Sequence, residues 1–228
     1  MFSPPKMTHT LRACALLIGY PDASLRGMLP SIATALHDEA ALSATRLAEL
    51  DALIEALLQQ APLDAEAAYV ELFDHGRSTS LHLFEHVHGD SRDRGPAMID
   101  LAKTYEKAGL FLSPGELPDY LPVVLEFAST QPPKQARAFL AEMTHILNAL
   151  FTALVKRESR YASVIGALIE LAGERAQAVK IQPDEALDDS WAEPLAFDGC
   201  SSHGQAKPGT AQPIHIVRKS SATQGVQP

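Results

Sequence analysis

Residues 69–95, YVELFDHGRSTSLHLFEHVHGDSRDRG, hold four of the nine histidines: His75, His82, His86 and His88. His82, Glu85 and His86 follow an H-x-x-E-H spacing, in which two histidines one helical turn apart can bind zinc while the glutamate activates water. A catalytic site of this kind needs a third protein ligand from another helix, and no specific residue supplies it. The stretch 88–95 mixes glycine, serine and arginine as a phosphate loop does. It lacks the Walker pattern, the dinucleotide glycine fingerprint and a preceding strand. A simpler reading makes Asp90 or Ser91 the cap of a helix starting near Arg92, with Arg92 and Arg94 paired to local carboxylates or carbonyls. Tyr69, Phe73 and Phe84 are either core aromatics at helical spacing or the wall of an apolar groove that accepts a partner's amphipathic helix. Periodicity does not separate those two readings.

A second compact signal lies at residues 113–122, SPGELPDYLP. Ser113 and Glu116 have capping-box spacing, and Pro114, Pro118 and Pro122 fix a defined loop. Asp119 is placed to cap a helix that carries Val123, Val124 and Phe127. The segment is either a rigid connection or a hinge that presents Asp119 and Tyr120 to a ligand.

The elements that must position these residues are helices. The chain has 228 residues, 46% hydrophobic but only 6% aromatic, and alanine and leucine far outnumber valine and isoleucine. That texture excludes a sandwich, a barrel or a parallel-sheet enzyme and points to an all-α domain with a real core. Helices are expected over about 8–18 and 24–38, then from a Ser43 cap through Leu47, Leu50, Ile54, Leu57 and Leu58. Asp64 is expected to cap the next, which carries Tyr69, Leu72 and Phe73. Another carries Met98, Leu101 and Tyr105 and closes at Gly109. One long helix is read from Pro132 and Pro133 to Val155 along an unbroken apolar stripe, followed by one with Tyr161, Ile165, Leu168 and Ile169. The only strand-like run is 213–217.

Composition shifts near the end. Residues 1–182 are read as a single helical domain, and 183–228 as an acidic linker and a disordered C-terminal tail too polar to offset its ordering entropy. A net charge of -9 disfavours a nucleic-acid partner. Two cysteines, Cys14 and Cys200, make no disulfide scaffold or metal spacing, so a reducing cytosol is the default. No apolar run approaches the ~18 residues that span a bilayer, and the start lacks a signal-peptide cleavage pattern after the short run 13–18.

At these two segments the chain resembles a known family. YVELFDHGR, SLHLFEHVHGDSRDRGPAMIDL, YEKAGL and ELPDYLPVVLEF are similar to the NarJ/NarW branch of the TorD/DmsD family, the assembly chaperones of molybdenum oxidoreductases. The likeness is dense over about 65–128, weaker over 8–64 and 136–172, and returns at Trp191, Ala192, Glu193 and Pro194. It implies an all-α, TorD/DmsD-type helical bundle in the cytoplasm, without catalytic turnover, resident metal or cofactor.

The implied partner is the apo nitrate reductase alpha (catalytic) subunit, through an N-terminal, leader-like peptide. The chaperone keeps that subunit competent for molybdenum cofactor and iron–sulfur insertion and delays membrane docking. Molybdenum cofactor insertion proteins are further implied partners, and no stable membrane insertion is expected. Tyr69, Leu72 and Phe73 match the family's groove-lining Y-x-x-L-F segment. Pro118, Asp119 and Tyr120 fall where the wider family has a Pro-Asp-His hinge, with Tyr120 in place of the histidine. The expected peptide-binding set is therefore Tyr69, Leu72, Phe73, Phe84, Tyr120 and Leu121 as apolar wall, with Glu71, Glu85 and Asp119 as acidic rim. Two other classes remain at this point: a helical zinc metallopeptidase using the H-x-x-E-H motif, and a plain helical scaffold.

Overall fold

A computed structural model describes residues 6–89 and 91–179, all within one unit spanning Met1–Asp184. The described chain forms ten α-helices: α1 Thr8–Leu17, α2 Ala23–Glu39, α3 Ala44–Gln59, α4 Pro62–Phe73, α5 Leu83–His88, α6 Arg94–Lys107, α7 Leu121–Thr130, α8 Pro133–Glu142, α9 Thr144–Lys156 and α10 Ala162–Ala172. A single 3₁₀ turn, Arg77–Thr79, separates α4 from α5. The fold is all-α, as the composition implies. The expected segment 213–217 and the resemblance at Trp191 lie outside the described residues.

The most apolar helix, α10, is the axis of the core. Every residue from Ala162 to Ile169 is buried, and the helix packs against α3, α8, α9 and α1. It stops where Gly173 takes a left-handed conformation at φ 88°, an arrangement that costs an L-residue with a Cβ. The Arg137 guanidinium lies over that glycine and donates from Nε to the Ala172 carbonyl at 3.3 Å, satisfying a helix-end acceptor.

A second layer joins α1 to α7 and α2, and α2 to α3. Within α1, Ala13, Cys14, Ala15 and Leu17 are all buried, as is Ile18 beyond its end. Leu16 apart, the short apolar run near the start is thus core. Burial pushes the Cys14 thiol up to about 12, so this cysteine packs as a small apolar residue. Glu39 reaches from the last turn of α2 to the start of α1. Its carboxylate accepts from the backbone N–H groups of His9 and Thr10 and from the Thr10 hydroxyl.

Several local expectations change on folding. Ser43 does cap α3, accepting from Arg46 N–H at 3.4 Å. Asp64 does not cap α4: Pro62 opens that helix after Ala61, which leaves Asp64 in the first turn, where it favours the positive pole of the dipole. The long helix read over 133–155 is two helices, α8 and α9, bent by 66° at Met143. The apolar stripe is continuous because both pieces bury one face against α10. An unbroken stripe identifies the buried side of a segment but does not fix a straight axis. No single described helix is long and apolar enough to cross a membrane. The bent α8–α9 pair is apolar because Leu140, Leu147, Leu150 and Leu154 are core.

In contrast, α6 buries only Tyr105. It is held at its end by the Tyr105 hydroxyl, which donates to the Pro118 carbonyl at 2.8 Å, and by ring contact with Phe127 at 4.6 Å. At its start no side chain caps it. Asp93 is the first flanking residue, and Ser91 instead accepts from Asp93 N–H at 3.2 Å.

Candidate functional site

The two segments singled out in the sequence meet in the fold. Leu83 N–H donates to the Asp119 carbonyl at 3.0 Å and Leu121 N–H to the Leu81 carbonyl at 2.9 Å, an antiparallel bridge centred on His82 and Tyr120. The His82 and Tyr120 rings lie 5.3 Å apart across it. Asp119, fully buried, is the hub beside this bridge. Its carboxylate accepts from Phe84 N–H at 3.2 Å, lies 3.4 Å from His82 Nδ1 and 3.7 Å from the Arg94 guanidinium. A buried carboxylate needs such partners, because its desolvation is otherwise unrepaid. The hydrogen bond to Asp119 raises the pKa of His82, against the opposing effects of burial and Arg94.

This geometry revises the roles expected of several residues. Asp119 is not on an acidic rim and does not cap α7, whose start carries no side-chain cap. It caps α5 instead, 35 residues away in sequence. Glu85 is paired with Arg94 at 3.3 Å, the partnership with a local carboxylate that the simpler reading of this stretch implied. Leu121 is fully buried in the core.

The metal reading fails on the same geometry. His82 stands before the first turn of α5 with its ring turned to Asp119, and His86 Nε2 faces the Ser80 carbonyl at 2.8 Å. Glu85 is engaged by Arg94. Among the described residues no group of three His, Cys, Asp or Glu side chains is placed to hold a metal ion.

Tyr69 and Phe73 belong to an aromatic cluster completed by Tyr20 and Tyr161. Ring centroids are 4.6 Å apart for Tyr69 and Phe73, 5.2 Å for Phe73 and Tyr161, and 5.5 Å for Tyr20 and Tyr69. The Tyr69 hydroxyl donates to the Ile18 carbonyl at 2.9 Å, tying α4 to the end of α1. Burial raises the pKa of both Tyr69 and Tyr161. Both therefore stay neutral. Phe84 is half-buried, its ring edge-on to His88 at 5.5 Å.

Two neighbours of the buried pair do reach the surface. Leu72 and Glu71 line a groove of about 440 Å³ with Leu53 and Leu57 of α3, Tyr161, Arg157 and Arg160. A different groove, of about 410 Å³, opens between α1, α7 and the loop after α6. Leu16, Val123, Glu126 and Phe127 line it, with Phe111 and Glu116 on the loop. The sequence pattern marked Tyr161 only as part of a helix stripe and did not mark Phe111 or Glu126. The signal available was the apolar triplet Leu110, Phe111 and Leu112 between Gly109 and Pro114, an apolar run where a loop is otherwise polar.

The helical frame matches that of a redox enzyme maturation protein from Archaeoglobus fulgidus with a TM-score of 0.52. That alignment covers 76% of this chain and 98% of the other at 19% identity, so it speaks to fold alone. A family model for the nitrate reductase delta subunit matches residues 33–165. The chain belongs to the nitrate reductase delta subunit family. Among its relatives, the Escherichia coli K12 protein named nitrate reductase molybdenum cofactor assembly chaperone NarJ is 42% identical over 194 residues, covering 84% of this chain and 81% of the relative. NarW of the same organism is 39% identical over 193 residues, covering 80% of each chain. A NarJ from Bacillus subtilis is 32% identical over 161 residues, covering 70% of this chain and 86% of the relative. All three of these relatives are named as assembly chaperones, and none of them supports a zinc peptidase.

Proposed function

We propose that the chain is a system-specific assembly chaperone for a molybdenum-containing nitrate reductase. Its client is the apo catalytic subunit, engaged in the cytoplasm through an N-terminal segment before cofactor insertion and membrane docking. The observation that supports this reading is 42% identity to NarJ across more than four-fifths of both chains. The geometry is consistent with binding rather than turnover. At the bridge Asp119 is engaged by His82 and Arg94, and Glu85 by Arg94, while apolar grooves lie open on the outside.

Mechanism then reduces to burial and timing. An apolar client face entering such a groove gains about 25 cal/mol per Å² of apolar surface removed from water, less the cost of ordering the segment. The net is reversible binding that can be relinquished once the client folds around its cofactors. Release follows from mass action when the client's own fold competes for the same apolar face.

Affinity purification of the tagged chain from cells making the reductase tests the proposal. The expected result is recovery of catalytic subunit lacking molybdenum, with little mature enzyme. Equal recovery of apo and mature subunit, or of neither, refutes it.

A further inference from the structure

We infer that the chain's own residues 180–184, which follow the described residues, cross the groove beside Leu72 as a strap, with Ile181 and Pro183 as its apolar body and Asp184 set against Arg160. The occupant of that groove is then part of the same molecule. The inference is independent of the client reading above.

The last described residues set the path. Beyond Gly173 the chain runs alongside α9. Gln177 N–H donates to the Asn148 Oδ1 at 2.7 Å, and Val179 N–H donates to the Thr152 Oγ1 at 3.2 Å. Two residues of chain therefore advance beside one turn of helix. An extended chain rises about 6.5 Å in two residues and a helix about 6 Å in four, so the two stay in step. The direction is toward the end of α9 at Lys156, which is followed by the turn that carries Arg157, Ser159 and Arg160. At the same pitch Ile181 comes level with Lys156 and Pro183 with Arg160. Arg157, Ser159 and Arg160 all line the groove. Arg160 offers no side-chain acceptor, and Pro183, level with it, has no N–H that needs one.

The groove has the chemistry to receive such a strap. Leu53, Leu57 and Leu72 give it an apolar lining that the described residues leave open. The Tyr161 hydroxyl, on a residue of the same lining, is buried with no hydrogen-bond partner among the described residues. It is neutral and therefore a donor, and the backbone carbonyls of a crossing strap are acceptors for it. Charge points the same way. Arg157 and Arg160 outnumber Glu71, whose carboxylate lies 3.6 Å from His75. An occupant with an anionic end fits this balance, and Asp184 opens the run DEALDD, with four carboxylates in six residues. A separate anionic partner would compete with a tethered segment whose effective concentration is in the millimolar range, about that of a short flexible linker.

Disulfide trapping in the full chain tests the strap. Ile181→Cys is combined in turn with Ala56→Cys and Ala68→Cys on the groove lining, with Cys200→Ser in every chain and the buried Cys14 left in place. Ile181→Cys with Phe111→Cys, on the loop of the other groove, is the control. Under mild oxidation at least one lining pair is expected to close an intramolecular disulfide about tenfold faster than the control, because docking raises the local thiol concentration. Arg160→Glu is expected to slow that closure about threefold, and adding Asp184→Arg to restore it. Far-UV circular dichroism confirms that each chain is folded. Closure of both lining pairs no faster than the control overturns the strap. A disulfide formed only between two chains also overturns it and assigns the groove to a second copy. A closure rate indifferent to Arg160→Glu overturns the pairing of Asp184 with Arg160.

Discussion

Replacing Asp119 with alanine separates a structural hub from a surface ligand. The substitution removes the acceptor of Phe84 N–H and the counter-charge that His82 and Arg94 share at 3.4 and 3.7 Å. Breaking a fully buried pair costs about 3–5 kcal/mol, but the His82 and Arg94 side chains are 32% and 27% exposed, and Arg94 keeps Glu85. With the lost acceptor included, about 2–3 kcal/mol is expected, a fall in Tm of roughly 5–10 °C for a chain of this size. Asp119→Asn retains an acceptor and loses only the charge, so about half that loss is expected. Scanning calorimetry measures the stability, and hydrogen exchange should show the opening localised to α5 and α6. A Tm within about 2 °C of wild type for Asp119→Ala, accompanied by lost client binding, would refute the hub and return Asp119 to the client interface.

Three further perturbations follow from single observations. His82 has its pKa raised above the unfolded value of 6.5, so its contribution is fully present below that value and fades as pH rises through the folded pKa. The stability gap between wild type and His82→Gln should therefore be widest in mild acid and close at alkaline pH, and a gap that widens with pH would contradict the Asp119 pairing. Gly173→Ala forces a Cβ into left-handed backbone and against the Arg137 guanidinium. A loss of about 1–3 kcal/mol is expected by chemical denaturation, and Arg137→Ala in the same chain should recover part of it. Glu39→Gln weakens the reception of two α1 N–H groups and a hydroxyl. It should cost about 1 kcal/mol, read as faster amide exchange at the start of α1.

The helical class and most helix positions were legible because they depend on local patterns. Ser43 before an apolar stripe, Gly109 after one, and the Tyr161–Ala172 run each carry a signal within a few residues of the event. The failures involve choices made across the chain. Asp119 stands one residue before Tyr120 and two before α7, so a local cap was the natural reading, but its carboxylate turns to Phe84 N–H in a helix 35 residues earlier. The bend at Met143 leaves the stripe intact and is decided by wrapping around α10. The resemblance led to Tyr69 and Phe73, which face inward, while their neighbours Glu71 and Leu72 face a groove. No periodicity marks that difference on a helix apolar on more than one side. Phe111 was passed over because it belongs to no helix stripe, and an apolar loop residue becomes informative only when the surface beneath it is known.

On the proposed function, this chain delivers cofactor competence to a client without itself turning over substrate. The direct measurement is the molybdenum content of the reductase catalytic subunit, purified from cells with the gene deleted and from cells complemented in trans. Catalytic subunit is expected at normal abundance in the deletion strain but largely empty of molybdenum, with loading restored by the wild-type chain. Full molybdenum occupancy in the deletion strain would contradict the chaperone role.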